Sequence, residues 1–382
     1  MLTLFWTLLG AVLWTYLGYP ALLVVLARVR SRARIRTAVE PSVTIIISAF
    51  NEEKHIARKL ENTLALRYPK QKLEVIVASD CSTDNTHEIV RGFADRGVKL
   101  AILPERGGKT AAQNLAASEA KGEVFIFTDA TTEFGKDAIR GIVETFADPT
   151  VGCVGAELDY VSESGNAVGK GAGAYWRYEK KIKELEDRVN SLIGVSGCLY
   201  AVRAAAFKPI EPDLISDYVI AGDVYSRGYV TVYGHGAVSQ EKTHEDSGKE
   251  FEMRVRVIIR TINALVRRAY MLNPFRHGFF AFQIFSHKVL RYLVAELLIG
   301  ILVIGVWLCF YGGASAPIYQ ILTAGQFALY AAALVGWLSV KLNIKIPLVH
   351  IPFYFVVANL AALVALIQYL GGERKVVWTT HR

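Results

Sequence analysis

The chain has 382 residues, of which 52% are apolar and only 20% are charged, and its mean hydropathy is +0.29. This composition excludes a disordered, a collagen-like and a wholly soluble protein. The apolar residues collect at the two ends, which predicts membrane segments around one soluble domain. Four widely spaced cysteines without a C-x-x-C pair predict neither a zinc site nor a disulfide framework: Cys81, Cys153, Cys198 and Cys309.

The N-terminal segment 4–27 contains no charged residue and is long enough to cross a hydrocarbon core of about 30 Å. A cleaved signal peptide is the alternative, but no basic region precedes the segment, and its apolar part is longer than usual. Five arginines follow between residues 28 and 36, and by the positive-inside rule they predict a cytoplasmic domain. We expect a membrane helix and basic linker over 1–40, in a bacterial inner (plasma) membrane.

A cytoplasmic domain is predicted over residues 41–250, because short apolar runs alternate there with helical patterns. The strands are expected within SVTIIISAF, LEVIVASD, VKLAILP and EVFIFTDA, and the helices over 52–66, 83–96, 108–120 and 136–146. Repeated strand–helix units of this spacing predict an α/β fold with a largely parallel, doubly wound sheet. In such a sheet, ligands bind at the carboxyl ends of the strands.

The C-terminal part is predicted to lie on and in the membrane. Amphipathic interfacial helices are expected over 251–290, three apolar spans within 291–370 (at 293–311, 317–340 and 346–370), and a basic tail over 371–382. One plus three crossings leave this tail outside, although its basic residues favour the inside. Either the last segment is re-entrant, or the tail breaks the charge rule.

Polar residues follow the four predicted strands where those strands end. Asn51 and Glu53 follow the first strand, Asp80 the second, Lys109 the third and Asp129 the fourth. Because these ends meet at one edge of a doubly wound sheet, we expect the side chains to surround one ligand. A purely structural role is the alternative, since such residues also cap helices and complement their dipoles.

A series of segments occurs in the same order as in a known family: VTIIISAFNEE, VIVASDCSTDNT, RGGKTAAQN, FIFTDAT, SGCLYAVR, ISDYVIAGDVYSRGY and SHKVLRYL. The chain thereby resembles the membrane-anchored glycosyltransferases of family 2, of the exopolysaccharide or glycolipid type, over nearly its whole length. The resemblance implies a GT-A nucleotide-sugar-binding domain, which is α/β and Rossmann-like with a mostly parallel sheet, together with α-helical transmembrane segments.

The resemblance also implies a donor site. Asp80 is expected to contact the uracil or ribose, and Lys109 the nucleotide or diphosphate. The family's D-x-D motif is here Asp129-Ala130-Thr131, so Asp129 is expected to hold Mg²⁺ or Mn²⁺, which neutralises the leaving diphosphate. Alternatively, Asp129 caps the next helix and Lys109 is a solvated surface lysine. The complete predicted donor set is Ala49, Asn51, Glu53, Asp80, Lys109, Asp129, Arg254 and Arg256.

Asp217 is the predicted general base, because it resembles the family's acid at the start of a late helix. A carboxylate there takes the proton of the acceptor hydroxyl on the face opposite the leaving group, and the product is inverted. Ser216 stands where the family often has another acid. The alternative for Asp217 is an acid that stabilises a helix N-terminus. Gly197 and Cys198 match the family's loop beneath the acceptor, with a plain strand turn as the alternative.

Residues 251–256 fall where processive relatives carry Q-x-x-R-W, and that motif is absent. Arg254 or Arg256 is expected to contact the diphosphate, and a contact with anionic lipid headgroups is the alternative. The leading hypothesis is an inverting glycosyltransferase that uses a nucleotide sugar, a UDP-sugar in preference to a GDP-sugar. Its acceptor is expected to be lipid-linked or a glycan, beside membrane lipid.

Two other functions are weighed against this hypothesis. A processive polysaccharide synthase would make long polymers, resembling poly-N-acetylglucosamine or hyaluronan synthases, and a catalytically silent nucleotide-sugar-binding subunit would explain the incomplete D-x-D motif. The net charge of +8 is accounted for by membrane-facing basic residues, so no nucleic-acid partner is predicted.

Overall fold

A computed structural model describes residues 1–29, 35–161, 167–242, 247–311, 316–342, 344, 346 and 348–375. Part of the predicted basic linker, at 30–34, and most of the predicted basic tail, at 376–382, therefore lie outside the described residues.

The described part of the soluble domain contains one eight-stranded sheet with the strand order β3-β2-β1-β4-β7-β6-β8-β5. Strands β1 to β4 are parallel neighbours, as predicted, whereas β7 runs antiparallel to both β4 and β6. The sheet is thus mixed but mostly parallel. The strands are β1 Val43–Ala49, β2 Leu73–Ser79, β3 Val98–Ile102, β4 Val124–Asp129, β5 Glu133–Phe134, β6 Val151–Val161, β7 Leu199–Arg203 and β8 Val230–Lys242.

The sheet is covered by helices on both faces, which explains the continuous apolar runs in its central strands. Every residue of β1 is buried, and successive side chains enter opposite cores: Ile45 and Ile47 pack into one, Ile46 into the other. The helices of this domain are α1 Leu2–Val29, which leads into it, then α2 Ile56–Leu64, α3 Thr86–Arg91, α4 Lys109–Glu119, α5 Ala138–Val143, α6 Ala167–Val189 and α7 Ser216–Ser226.

Two of the predicted helices begin later than their sequence pattern indicates. The helix predicted from residue 52 begins at Ile56, and the one predicted from residue 83 begins at Thr86. The residues before each helix instead form strand-end loops that bind each other. Asp84 Oδ2, for example, accepts the backbone N–H of Glu53 at 3.1 Å. The 23-residue helix α6 is absent from the sequence-based predictions.

Among the described residues, four helices are long and apolar enough to span a membrane, which makes the chain a membrane protein. They are α1, α12 Val294–Tyr311, α13 Ala316–Lys341 and α14 His350–Leu370. Each matches a predicted span. The re-entrant alternative for the last segment is not supported, because α14 is an unbroken helix of 21 residues.

The region between the soluble domain and the spans is helical: α8 Ser247–Arg267, α9 Pro274–His277, α10 Phe279–Ile284 and α11 Leu290–Tyr292. The predicted interfacial helices over 251–290 are thus four in the described residues, and α9 and α10 are separated at Gly278, whose φ is 54°. Apolar residues of α6 pack on α1, and those of α8 pack on α14. These contacts hold the soluble domain against the spans and leave a cavity between them.

Candidate active site

Four chain segments bring their polar residues together at the carboxyl edge of the sheet. Lys109 is the first residue of α4, Asp129 ends β4, Gly197 precedes β7, and Asp217 lies in the first turn of α7. Lys109 Nζ forms a salt bridge with Asp129 Oδ1 and donates to the carbonyl oxygen of Gly197 at 2.9 Å. A Cβ atom placed on Gly197 would lie 2.7 Å from Asp217 Oδ2.

The Lys109–Asp129 pair excludes two of the alternatives raised by the sequence. The Lys109 side chain is only 14% exposed, so it is not a solvated surface lysine. Asp129 binds this lysine through its side chain and does not cap the following segment. Burial by itself lowers the pKa of Lys109, but the carboxylate of Asp129, with a smaller contribution from Asp217, raises it above its ordinary value. Lys109 is therefore a fixed cation at the sheet edge.

The Asp217 carboxylate has no hydrogen-bond partner among the described residues, and it lines a cavity. Burial raises its pKa above the ordinary range of an aspartate, although nearby Lys109 and Arg260 oppose the shift. Asp217 also lies in the first turn of α7, where a negative charge interacts favourably with the helix dipole. Its position is therefore compatible both with stabilising the helix N-terminus and with a functional role. A carboxylate with unused oxygens and a raised pKa is suited to accept a proton.

The segment that carries Asp217 is held by polar side chains of α4. This explains part of the RGGKTAAQN sequence that the motif analysis did not interpret. Ser216, which stands in place of a second acid, is buried and donates its hydroxyl to Gln113 Oε1 at 2.8 Å. Further bonds connect Thr110 to the carbonyl of Leu214 and Asn114 to both backbone groups of Ile210.

Asp80 lies at the end of β2 and is 1% exposed. Its Oδ1 accepts the backbone N–H groups of Gly107 and Gly108, at 2.8 and 2.9 Å, while its Oδ2 has no hydrogen-bond partner among the described residues. The guanidinium of Arg106 lies 3.9 Å from Oδ2 and stacks over the ring of Phe50, 3.7 Å from its centroid. A buried, unpaired carboxylate oxygen beside a flat cation provides an acceptor for a ligand N–H or O–H.

The loops after β1 and β2 bind each other. Asn51 Oδ1 accepts the backbone N–H of Thr83 at 2.8 Å, and Glu53 Oε2 accepts that of Asn85 at 3.2 Å. Asn51 has a φ of 53°, a conformation that Asn adopts more readily than most residues. Ala49 is buried in the sheet core, and its carbonyl accepts the N–H of Asp80. These three predicted donor residues thus support the loops, and none of them lines the cavity described next.

A cavity of about 860 Å³ extends from the carboxyl edge of the sheet, called the catalytic edge below, to the membrane-spanning helices. Lys109, Asp129, Gly197, Cys198 and Asp217 line one end. The other end is lined by Tyr16 of α1 and by Asn359, Ala362 and Gln368 of α14. The cavity therefore connects the sheet edge with the membrane-spanning helices.

The predicted diphosphate ligands Arg254 and Arg256 also line this cavity. Arg254 is bound to Glu250 at 2.8 Å and to the hydroxyl of Tyr354 on α14, and it stacks on Tyr175 and Tyr354. The structure thus places Arg254 against a span, in contact with none of the catalytic-edge residues, and its predicted contact with the diphosphate has no support in these contacts.

Several basic residues of the cavity were not predicted as site residues, among them Lys183 on α6, Arg260 on α8 and Lys288 after α10. Arg260 follows Arg256 by four residues, so one helix face carries both, and this spacing was a usable signal. Lys183 had no comparable signal, because α6 itself was not predicted.

The fit of a divalent cation depends on Asp129. Its Oδ1 binds Lys109, while its Oδ2 has no partner among the described residues, and Thr131 lines the same cavity. Among the described residues no three His, Cys, Asp or Glu side chains form a metal-binding group. Mg²⁺ and Mn²⁺ often use one or two protein carboxylates and complete their shells with phosphate oxygens and water. Asp129 and Thr131 fit such a half-site.

Lys59 of α2 is buried directly behind the loop that follows Asp129. Its ammonium group donates to Thr128 Oγ1 at 3.1 Å and to the carbonyl of Thr132, and it lies 3.5 Å from the ring centroid of Phe134. Burial lowers its pKa from 10.5 to about 7, although Asp129 and Glu133 oppose this shift. This lysine fixes the loop that carries Asp129 and Thr131.

The titration of Lys59 predicts a pH-dependent stability. Between pH 7 and 10 the unfolded chain keeps a proton on this lysine that the folded chain loses, so the free energy of unfolding gains about 1.4 kcal/mol per pH unit from this group. A Lys59→Met variant lacks that contribution. Thermal midpoints in detergent, measured from pH 7 to 9, should rise less steeply for this variant than for wild type. A Lys54→Met control, at an exposed position, should keep the wild-type slope, and equal slopes for all three would contradict the prediction.

Comparison with known proteins identifies the family of the soluble domain. Residues 44–209 match the family model described as "Glycosyl transferase family 2". This part of the chain is therefore a family 2 glycosyltransferase domain, carried by a chain with four apolar helices long enough to span a membrane.

Two curated relatives illustrate the range of similar proteins. The chain is 35% identical over 144 residues to a beta-monoglucosyldiacylglycerol synthase from Nostoc sp. (strain PCC 7120 / SAG 25.82 / UTEX 2576), covering 37% of this chain and 31% of that protein. It is 27% identical over 221 residues to a poly-beta-1,6-N-acetyl-D-glucosamine synthase from Staphylococcus aureus (strain COL), covering 56% and 53%. The match thus spans about a third of the length of the first relative.

A solved structure has the same fold over most of its length. It is the mannosyltransferase PcManGT from Pyrobaculum calidifontis in complex with GDP-Man and Mn²⁺, which matches with a TM-score of 0.69 and 21% identity over 94% of this chain and 98% of that one. The similarity confirms the expected GT-A fold.

Proposed function

We propose that this protein is an inverting glycosyltransferase, which moves a sugar from a nucleoside diphosphate to an acceptor presented by the membrane. The observation that carries the proposal is the assembly of Lys109, Asp129 and Asp217 around Gly197, at the end of a cavity that continues to the spans. A leaving diphosphate needs positive charge, an alcohol needs a base, and a lipid acceptor needs access from the bilayer. The cavity offers all three.

The reaction is a direct displacement. The acceptor hydroxyl oxygen forms a bond with the anomeric carbon, while the bond from that carbon to the diphosphate oxygen breaks and its electron pair leaves with the diphosphate. The hydroxyl proton passes to the Asp217 carboxylate. The Lys109 ammonium stabilises the negative charge on the diphosphate. One displacement inverts the configuration at the anomeric carbon.

Asp129 and Thr131 would hold Mg²⁺ or Mn²⁺, which supplies further positive charge to the diphosphate when bound. Asp80, whose Oδ2 accepts no hydrogen bond from the described residues and lies beside Arg106, would bind a base N–H or a ribose hydroxyl, and a UDP-sugar is the donor that we propose. Asn51 and Glu53 act by holding the two loops around Asp80, and Ala49 by accepting its N–H.

The catalytic domain is proposed to lie on the cytoplasmic side of a bacterial inner membrane. The basic residues at and after the end of α1 support this side, and Arg28 and Arg36 are among the described ones. Protease protection in inverted membrane vesicles tests the orientation. Cleavage of the soluble domain in inside-out vesicles, and protection in right-side-out vesicles, is expected.

The activity is tested with purified protein, labelled UDP- and GDP-sugars and a lipid extract, with and without Mn²⁺. Release of UDP that depends on added lipid is expected, together with thermal stabilisation by UDP-sugars greater than that by GDP-sugars. An absence of nucleotide release with every donor and lipid would contradict the proposal.

A processive synthase is the second candidate, supported by the similarity to the poly-beta-1,6-N-acetyl-D-glucosamine synthase. The absence of Q-x-x-R-W at residues 251–256 favours a single transfer. The length of the product decides between them. A single added sugar supports the first proposal, and a ladder of long polymers would support the synthase.

A further inference from the structure

The cavity holds two lysines between the catalytic edge and the spans. Lys183 and Lys288 line it, and neither ammonium group has a hydrogen-bond or ion-pair partner among the described residues. Lys183 is close enough to both Lys288 and Asp217 for their charges to interact, and Asp217 also interacts with Lys109. Lys109, Asp129, Asp217 and the two lysines thus line one cavity, and Asp217 interacts with the charges of Lys109, Asp129 and Lys288.

Two acidic residues on the helix of Lys183, Glu179 and Glu186, are already bound by other groups. Glu186 Oε1 accepts the hydroxyl of Tyr19 at 2.6 Å and lies 2.8 Å from His287 Nδ1. Glu179 binds Arg291 at 2.5 Å and lies 3.0 Å from His287 Nε2. Neither carboxylate is bonded to Lys183, although both lie on its helix one turn away. Positive charge is therefore left facing the cavity.

For Lys183 this arrangement is unfavourable without an anion. Burial lowers the pKa of Lys183, and the neighbouring Lys288 lowers it further, although Glu179 opposes both effects. Arg260 is 8% exposed and adds to the positive charge on the wall beside Asp217. One of its terminal nitrogens donates to the carbonyl of Leu214 at 3.2 Å, while its Nε has no partner among the described residues. A bound anion would relieve the repulsion among these cations.

The far wall of the same cavity consists of membrane helices. Tyr16 belongs to α1, and Asn359, Ala362 and Gln368 belong to α14. An anion bound by the two lysines would therefore lie in the cavity that is lined by Asp217 and by residues of α1 and α14. A lipid headgroup fits this position, because its chain can leave the cavity along the spans while its polar end stays beside the base.

We propose that Lys183 and Lys288 bind the phosphate group of a lipid, and that this phosphate-bearing lipid is the acceptor of the sugar. The inference rests on the proposed function, since it names the acceptor class of the same site. Two ammonium groups form charge-assisted hydrogen bonds with phosphate oxygens, which a neutral diacylglycerol does not supply.

Two kinds of lipid share this chemistry. In a hydroxylated phosphodiester, such as phosphatidylglycerol, a headgroup hydroxyl attacks the anomeric carbon and gives its proton to Asp217. In a polyprenyl phosphate monoester, an anionic phosphate oxygen attacks without a proton transfer, so the loss of rate expected for Asp217→Asn applies to the hydroxylated lipid alone. In both, the carbon–diphosphate oxygen bond breaks and its electron pair leaves with the nucleoside diphosphate.

The test measures binding of three lipids to the full chain in detergent: phosphatidylglycerol, a polyprenyl phosphate and diacylglycerol. The double variant Lys183→Gln/Lys288→Gln is expected to weaken the binding of at least one phosphate lipid about tenfold or more and to leave diacylglycerol binding unchanged. The Lys183→Arg/Lys288→Arg variant should restore most of the affinity. Lys181→Gln is the control, because Lys181 is exposed on the same helix and pairs with Glu184 at 3.0 Å.

Wild-type affinity for the phosphate lipids in the glutamine variant would overturn the inference, as would an equal loss for diacylglycerol. The thermal midpoints show whether a loss of lipid affinity comes from lost charge or from unfolding. If the arginine variant regains its lipid affinity although its thermal midpoint is below that of wild type, the loss in the glutamine variant is due to charge. Binding requires no turnover, so the inference is tested even if no nucleotide is released and the proposed function fails. Sugar transfer then identifies the source: transfer to one phosphate lipid supports the acceptor assignment, and transfer only to diacylglycerol overturns it.

Discussion

Replacement of Asp217 by Asn is expected to lower kcat by about 10³-fold, within the range of roughly 10² to 10⁴ that a positioned general base contributes. The amide has nearly the same shape as the carboxylate but accepts no proton from the acceptor hydroxyl. Binding of the donor should stay within about twofold, because Lys109 and Asp129 are unchanged. Single-turnover kinetics with labelled donor, alongside donor titration by thermal shift, measure the two effects separately.

The same variant has a stability and a pH signature. Burial raises the pKa of Asp217, so the folded state carries this negative charge at a cost, and its removal should not lower the thermal midpoint. In wild type the carboxylate must be ionised to act, and kcat should fall as pH drops through a pKa above that of an ordinary aspartate. The remaining kcat of the Asp217→Asn variant should not show this decrease at low pH.

Asp213→Asn is the matched control for this substitution. Asp213 lies in the same segment, but its carboxylate binds Asn263 at 3.2 Å and does not line the cavity. Near-wild-type kcat is expected for the control. Turnover by Asp217→Asn at a tenth of the wild-type rate or more would refute the role of Asp217 as general base.

Replacement of Gly197 by Ala is expected to lower kcat by about 10² while leaving the protein folded. The new Cβ would lie 2.7 Å from Asp217 Oδ2 and 3.5 Å from Lys109 Nζ. The carboxylate sits at the end of a side chain and can rotate away, so the cost in stability is small. The base is then displaced, and a shift of about 1 Å at a reacting group lowers rates by this order.

Gly135→Ala is the control, because a Cβ at Gly135 has no heavy atom within 4 Å. Its kcat and thermal midpoint should equal those of wild type. For Gly197→Ala we expect a lower kcat with a thermal midpoint within about 2 °C of wild type. A loss of stability in proportion to activity would show instead that Gly197 is needed only for folding.

Much of this molecule was predictable from local sequence pattern. The strands β1 to β4 alternate with helices at the predicted places, because fully covered parallel strands need continuous apolar runs. The four spans were found for a similar reason, since a bilayer requires about twenty apolar residues in succession. The acids and lysine at the strand ends, such as Lys109 and Asp129, were found because the doubly wound topology places successive strand ends at one edge.

Other features depend on contacts between distant segments. The pairing of Lys109 with Asp129, the closeness of Gly197 to Asp217 and the anchoring of residues 210–217 by α4 join parts of the chain that no short pattern relates. No sequence pattern indicated that Arg254 contacts Tyr354 of the last span while lining the same cavity as Asp129 and Asp217, and its contact with the diphosphate stays a prediction.

The amino-acid sequence by itself determined the periodic elements, the membrane segments and the set of polar residues at the sheet edge, because these follow from short-range periodicity and from the solvent that each segment meets. Only the tertiary structure decided which charges neutralise one another. Lys109 acquires a carboxylate partner across the sheet, whereas Lys183 and Lys288 remain unpaired beside the spans, because His287, Arg291 and Tyr19 already bind the nearby Glu179 and Glu186.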